Sequence, residues 1–294
     1  MKKIITTLIL ILSLAGCANS VPTKNISNDK IFVIATLFPI YDFAKSIGGD
    51  VADVSLLVPP GTEPHEYEPS ASDLININNA DVFVYTGDFM EKWIKGVLNG
   101  ITNKNLEIID VSKGTKIVNG DPHIWLDFEH NKIMAKNIAE ALIKKNPKNK
   151  NYYEKNLQDL LIKIDGIDSA YKTTISSCKT KKIVYGGHYA FGYLVRRFGL
   201  EYVAAQGLSP DSEPTARDLI DLVDQVKNGN IKYIFYEELS SPKVAETISK
   251  ETGAKMLLLN NLESLPKDEI KNGKTFIDAM YENLDNIKIG LDCK

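Results

Sequence analysis

The sequence has no excess of basic residues. Its 35 lysines and arginines are outnumbered by 38 aspartates and glutamates, which gives a formal net charge of −3 at pH 7. Removal of residues 1–16 would take away two lysines and change this charge to −5. A mildly acidic chain is not built to bind a phosphate backbone, so we expect no nucleic-acid partner.

Long apolar runs are also missing after the first residues. The run Ile4–Leu14 follows two lysines and is too short to span a bilayer. This arrangement predicts a secretory signal segment over residues 1–16. The small residues that precede Cys17 resemble the bacterial lipobox, which implies cleavage before Cys17 and acylation of that cysteine. We therefore expect an extracytoplasmic protein that a lipid anchor holds at the bacterial cell membrane.

Cysteine is scarce, with three in the whole chain. If Cys17 carries lipid, Cys178 and Cys293 remain. They could form a disulfide in an oxidising compartment or stay as free thiols, because the sequence does not give the distance between them.

Short apolar runs alternate with stretches of helical apolar spacing along most of the chain. The predicted strands are Ile31–Leu37, Val51–Val58, Asp81–Thr86, Leu106–Val111, Lys182–Tyr185, Glu201–Ala205, Ile231–Glu237 and Lys255–Leu259. Helices are predicted between them, including Phe89–Leu98 and Ala190–Phe198. The alternation predicts an α/β fold with mainly parallel sheets and right-handed crossovers.

One long amphipathic helix is predicted over Asn151–Ser177, where apolar residues recur at three- and four-residue steps. The chain length suits two α/β lobes better than one. We predict an N-terminal lobe over residues 31–147, a linking helix over 148–179 and a C-terminal lobe over 180–294. Residues 17–30 are polar and predict a flexible tether in front of the first lobe.

The two predicted lobes contain similar segments. Glu68–Leu74 reads Glu-Pro-Ser-Ala-Ser-Asp-Leu, and Glu213–Leu219 reads Glu-Pro-Thr-Ala-Arg-Asp-Leu. Each has the spacing of a capping box, with Ser or Thr three residues before Asp. A predicted helix and strand follow each segment, which favours two lobes of similar architecture.

Three of the four histidines lie in or close to loops between predicted elements. His65 and His188 each follow a strand and precede a helix, at the edge of an open α/β sheet where ligands bind. His123 lies in Asp-Pro-His-Ile-Trp after a short polar loop. Because imidazoles are preferred zinc ligands, we predict one metal site formed by His65, His123 and His188 in the cleft between the lobes.

The surroundings of His123 add a further expectation. Asp121 and Asp127 flank it and are candidates to accept the imidazole N–H that does not face the metal. His130, the fourth histidine, is predicted to lie on the solvated surface of a helix.

These residues carry a resemblance that covers residues 31–291. Three stretches, Gly61–Ser70, Asp121–Asp127 and His188–Tyr193, are similar to the ligand motifs of the solute-binding lipoproteins of bacterial ABC importers for zinc and manganese. The resemblance implies two lobes joined by a rigid helix, and metal ligation by all three predicted histidines. It implies Zn²⁺ rather than Mn²⁺, because manganese members often have glutamate in place of the third histidine. It also implies a cognate permease and ATPase as partners, and we expect a monomer.

The chain departs from that family pattern in two places. Many members supply a fourth ligand, an aspartate, after the last strand, where this chain has Leu-Asn-Asn-Leu-Glu. Water, Asn260 and Glu263 all remain candidates for the fourth position. Many zinc members also carry a long histidine-rich loop before the second motif, and Lys113–Asp121 contains no histidine.

Other functions are alternatives to a zinc receptor. They are a manganese-specific receptor, a surface adhesin of the same family and an exported zinc hydrolase. A hydrolase would need an open coordination position and a general base. The sequence contains no His-Glu-x-x-His motif. Glu66 beside His65 is weak evidence for a base, so we expect no enzyme.

Overall fold

The computed structural model describes residues 30–211, 214–237 and 242–294. The predicted signal segment, Cys17 and nearly all of the predicted tether lie outside these residues. None of the helices in the described ranges is both long enough and apolar enough to cross a membrane.

The first lobe is built on a parallel sheet of four strands in the order β2-β1-β3-β4. The strands are β1 Ile31–Ala35, β2 Ala52–Leu56, β3 Val82–Tyr85 and β4 Glu107–Asp110. The helices are α1 Phe38–Gly48, α2 Ala71–Asn78, α3 Ile94–Gly100 and α4 Phe128–Lys145. β1 and β3 are apolar along their whole length, because helices cover both faces of a parallel sheet.

Helix α5, Lys150–Ser176, follows the first lobe and has 27 residues. Its buried stripe includes Leu160, Ile164 and Tyr171, and these belong to a hydrophobic core that continues into both lobes. α5 packs against α1 and α4 in the first lobe. Tyr171 also donates a hydrogen bond to the carbonyl of Met280 in the second lobe, at 2.8 Å. The linking helix is therefore part of the core of both lobes, which makes it rigid.

The second lobe repeats the sheet of the first, with four parallel strands in the order β6-β5-β7-β8. The strands are β5 Lys182–Tyr185, β6 Glu201–Ala204, β7 Tyr233–Tyr236 and β8 Lys255–Leu258. The helices are α6 Gly192–Phe198, α7 Ala216–Asn228, α8 Lys243–Thr252, α9 Lys267–Lys271 and α10 Phe276–Gly290. The predicted α/β fold of two similar lobes joined by one long helix is confirmed.

The similar segments of the two lobes start equivalent helices. The Ser70 hydroxyl accepts the N–H of Asp73 and the Asp73 carboxylate accepts the N–H of Ser70, which caps α2. Thr215 and Asp218 make the same reciprocal pair at the start of α7. Glu213, which begins the second segment, lies outside the described residues.

Two helices are shorter than the sequence predicts. α3 begins at Ile94 rather than at Phe89, and α6 begins at Gly192 rather than at Ala190. In the first case the buried Glu91 carboxylate accepts the N–H groups of Thr86 and Gly87, which holds the preceding segment in turns. A prediction from apolar spacing cannot detect this local competition for backbone hydrogen bonds.

The structure joins Cys178 and Cys293 in a disulfide, which decides the alternative that the sequence left open. The bond connects the end of α5 to the end of the chain. It lies beyond the amino end of β5, opposite to the sheet edge where that strand leads into His188.

Candidate metal site

His65 lies in the loop between β2 and α2, at the carboxyl edge of the first sheet. Pro64 stiffens the backbone in front of it. The backbone N–H of His65 donates to the carboxylate of Glu63 at 3.0 Å. The side chain is only 3% exposed, so the imidazole faces the interior of the molecule.

His123 follows β4 and is fully buried. Its Nδ1 lies 2.8 Å from Oδ1 of Asp121, and the same oxygen accepts the His123 backbone N–H. Because Nδ1–H donates to this carboxylate, Nε2 is left with its lone pair free for a metal. The prediction for Asp121 is confirmed. The prediction for Asp127 is wrong, because its carboxylate accepts the N–H of Glu129 and caps α4.

His188 comes from the second lobe, in the loop between β5 and α6. Its Nδ1 lies 2.9 Å from Oε1 of Glu237, a second buried carboxylate. A Cβ at Gly187 would lie 2.6 Å from the Glu237 carboxylate and 2.7 Å from the ring of Tyr185. Glycine is therefore required at that position for the loop to pass between these two side chains.

Glu263 completes the group, and it was one of three candidates from the sequence. It lies in the loop after β8, is 2% exposed, and its Oε1 approaches Nε2 of His65, His123 and His188 at 3.2, 3.0 and 3.1 Å. The Oδ1 of Asn260 instead accepts the N–H of Leu262, so this side chain serves the loop.

The loop that carries Glu263 is held against the first lobe. The Trp125 indole N–H donates to the carbonyl of Asn261 at 2.7 Å, and the Gly61 N–H donates to the hydroxyl of Ser264 at 2.9 Å. The amide of Asn261 also donates to Glu237 at 2.6 Å. Hydrogen bonds from both lobes therefore fix the position of the fourth donor.

The spacing of the four donor atoms fits a small divalent cation. Five of the six donor pairs are separated by 3.0 to 3.3 Å. An ion about 2.0 Å from each of four ligands in a tetrahedron would separate those ligands by about 3.3 Å. The four side chains could thus hold a metal between them. The structure therefore brings all three predicted histidines together with Glu263.

The charges of the cluster depend on one another. Burial by itself lowers the pKa of His188, but the carboxylates of Glu263 and Glu237 outweigh it and raise the pKa well above its usual value. The pKa of His123 is raised in the same way by Asp121 and Glu263. Burial raises the pKa of Glu263, but the three histidines hold it well below its usual value. A cation between these donors would replace the protons as the positive charge that balances the buried carboxylates.

Glu63 lies beside the cluster, and its pKa is shifted in the opposite direction to that of Glu263. Burial, followed by repulsion from Glu263, raises its pKa to about 8. It therefore accepts the His65 N–H while holding a proton over much of the neutral range.

His130 corrects a prediction from the sequence. It is 8% exposed, not on the solvated surface, and its Nε2 accepts the N–H of Lys116 at 3.3 Å. Its ring meets the ring of Tyr193 edge-on, with centroids 5.1 Å apart. Burial lowers its pKa. The polar neighbours in the sequence suggested solvent, but a tyrosine from the second lobe covers this face of α4.

Two similar α/β lobes with four converging donors between them define a two-lobe metal-binding receptor. The model of the family described as zinc-uptake complex component A, periplasmic, matches residues 33–290 of this chain. The chain belongs to that family, which confirms the resemblance stated from its motifs.

Individual relatives agree with this assignment. The chain is 38% identical to the high-affinity zinc uptake system protein ZnuA of Bacillus subtilis, over 95% of this chain and 94% of the relative. It is 36% identical to the zinc-binding lipoprotein AdcA of Streptococcus pneumoniae, over 98% of this chain but 61% of the relative. The crystal structure of the Zn(II)-bound ZnuA-like domain of that AdcA superposes with a TM-score of 0.80 at 39% identity, covering 90% of this chain and 99% of the domain.

Proposed function

We propose that this chain is an extracytoplasmic receptor that captures Zn²⁺ and delivers it to the permease of an ABC importer. The observation that carries the proposal is the convergence of His65, His123, His188 and Glu263 on one buried point between the lobes. The first lobe supplies two donors and the second lobe supplies two. Zinc bound there would hold the two lobes together. Movement of one lobe's pair of donors away from the other lobe's pair would release it.

The donor set favours zinc over manganese. Three imidazoles and one carboxylate match the nitrogen-rich tetrahedral sites of Zn²⁺, whereas Mn²⁺ prefers carboxylate, carbonyl and water oxygens. The zinc-binding relatives support the same choice. Manganese remains the alternative substrate only where its supply exceeds that of zinc.

The arrangement favours a receptor over an enzyme. A catalytic zinc site keeps one coordination position open for water, and here four protein donors fill a tetrahedron. We therefore do not propose a hydrolase. An adhesin role is not proposed either, because the cluster accounts for metal capture alone.

The location and partners belong to the same proposal. Cys17 would carry the lipid anchor, and residues 18–30 would tether the two lobes to the outer face of the membrane. A permease and an ATPase subunit would accept the metal from a monomeric receptor. Substitution of Cys17 by alanine should release the protein from the membrane fraction while leaving zinc binding intact.

The proposal is tested by competitive titration of the metal-stripped protein with Zn²⁺ and Mn²⁺, repeated on His188→Ala. We expect one tightly bound zinc per chain that outcompetes manganese, and its loss in the variant. Preference for manganese would reassign the substrate. Failure to bind either metal, or equal binding by His188→Ala, would refute the proposed site.

A further inference from the structure

The carboxylate of Asp121 connects the two lobes beside the candidate metal site. Its Oδ1 holds Nδ1 of His123 at 2.8 Å, within the first lobe. Its Oδ2 lies 3.5 Å from the guanidinium of Arg196, on α6 of the second lobe. The Asp121 side chain is 2% exposed, so this carboxylate depends on these partners for its solvation.

We propose that Tyr193 and Arg196 are positioning residues that hold Asp121, and through it His123, in the geometry that binds zinc. The inference rests on the proposed function and adds a role for the second lobe. The lobe supplies two ligands directly and also controls the orientation of a ligand that belongs to the first lobe.

The start of α6 is shaped to receive the carboxylate. A Cβ at Gly192 would lie 2.4 Å from Oδ2 of Asp121 and 3.0 Å from the guanidinium of Arg196. The first distance is too short for any Cβ and the second is tight, so even alanine would push the carboxylate away. The carboxylate of one lobe thus occupies the space that a glycine leaves in the other.

Tyr193 holds the backbone next to Asp121. Its hydroxyl accepts the N–H of Val118 at 3.1 Å and lies 3.1 Å from the carbonyl of Asp121, to which it can donate. The carbonyl of Lys116, at 3.2 Å, is a second acceptor for that hydroxyl. The ring contacts two further groups, because the Arg196 guanidinium lies over it at 4.6 Å from its centroid and His130 meets it edge-on.

The consequence concerns capture and release. An imidazole binds zinc through Nε2 only while its proton stays on Nδ1, and the Asp121 carboxylate keeps it there. Movement of α6 relative to the first lobe would loosen Asp121 and weaken His123 as a ligand. Lobe separation would then lower zinc affinity in the first lobe before the ligands themselves part.

The experiment compares Arg196→Gln and Tyr193→Phe with wild type, with Arg197→Gln as matched control. Arg197 is the neighbouring arginine of α6 and pairs with Asp168 at 2.6 Å. It also meets Asp127 and Glu129 of the first lobe at 3.3 Å but not Asp121, so it controls for the loss of an ion pair between the lobes that does not pass through Asp121. Zinc affinity is measured by competition with a chelator, and the visible spectrum of the Co²⁺-loaded protein reports ligand geometry. We expect both test variants to bind zinc about 10-fold or more weakly, with an altered Co²⁺ spectrum, and the control to match wild type.

A double-variant cycle with Asp121→Asn decides whether the effect passes through that carboxylate. We expect Asp121→Asn combined with Arg196→Gln to bind no more weakly than Asp121→Asn alone. Fully additive losses, or wild-type affinity in both test variants, would overturn the positioning role. Absence of zinc binding in wild type would instead refute the proposed function, so the two failures are distinguishable.

Discussion

The Oε1 atom of Glu263 lies 3.0 Å from Nε2 of His123, although the two residues belong to different lobes. This oxygen is within 3.2 Å of both other imidazoles as well. Replacement by glutamine would remove the negative charge that Glu263 adds to three neutral imidazoles, and a neutral amide is a poorer zinc ligand than a carboxylate. We expect Glu263→Gln to weaken zinc binding by more than the roughly 10–100-fold that loss of an outer partner costs.

The affinity of that variant is measured by chelator competition. The control is Glu66→Gln, which removes an exposed carboxylate next to His65. This control should retain wild-type affinity. If Glu263→Gln and the control bound zinc equally, water rather than Glu263 would be the fourth ligand.

The pH range over which zinc affinity changes should be higher than the range expected for a free imidazole. Zinc binds the deprotonated ring, so protons and metal compete. The pKa of His188 and of His123 is raised in the metal-free protein. As pH falls through these raised pKa values, the histidines bind protons and zinc affinity decreases. On lowering the pH, the decrease should therefore begin before the pH reaches about 6.5, the ordinary pKa of histidine. Competitive titrations between about pH 5.5 and 8.5 test this.

Glu237→Gln separates the causes of that profile. Loss of this carboxylate, 2.9 Å from His188 Nδ1, removes one of the two charges that raise the pKa of His188. The pH at which affinity is half lost should therefore shift downward. A profile that does not move would mean that Glu237 has no influence on protonation at the site.

A ligand could be predicted from the sequence where the residues close to it in the chain indicate its position. His65 and His188 lie in loops that follow strands, and His123 has Asp121 two residues before it. Glu263 was left among three candidates because the decision depends on the path of a loop. In that loop Leu262 adopts a φ of 63°. The N–H groups of Leu262 and Glu263 donate to the side-chain oxygens of Asn260 and Asn261, respectively, and the resulting turn directs Glu263 inward.

Tertiary contacts account for the predictions that failed. His130 lies among polar residues in the sequence, yet Tyr193 from the other lobe covers it. Asp127 ends the second motif, four residues after His123, but its carboxylate caps the start of α4, where it also meets Arg197 at 3.3 Å. The strands were predicted well because apolar runs with both faces buried are a property of the segment itself.

The disulfide should contribute to stability without affecting zinc. It closes a sequence separation of 115 residues, for which the loss of unfolded-state entropy predicts about 5 kcal/mol, whereas disulfides typically contribute about 2–4 kcal/mol. We expect Cys178→Ser, Cys293→Ser and the double variant to lose equal stability in thermal unfolding, because each breaks the same bond. Zinc affinity should stay unchanged, since the bond lies at the opposite edge of the second sheet. Unequal losses, or a change in affinity, would contradict this prediction.

Glu91 should make the metal-free protein less stable as pH rises. Its buried carboxylate accepts hydrogen bonds from Thr36, Thr86 and Gly87, and burial outweighs these bonds to raise its pKa to about 7. An unfolded glutamate has a pKa of about 4.3, so the folded state binds more protons between these two values. Stability must therefore fall as pH rises through this window and level off above it.

The measurement for Glu91 is the free energy of unfolding of metal-free wild type and Glu91→Gln at about pH 5 and about pH 8. Glutamine resembles the protonated side chain, so the variant should lose less stability than wild type over this range. Glu66→Gln again serves as control and should follow the wild-type slope. Equal slopes for wild type and Glu91→Gln would mean that another group titrates, with Asp42, whose pKa burial raises to about 6, as the next to substitute.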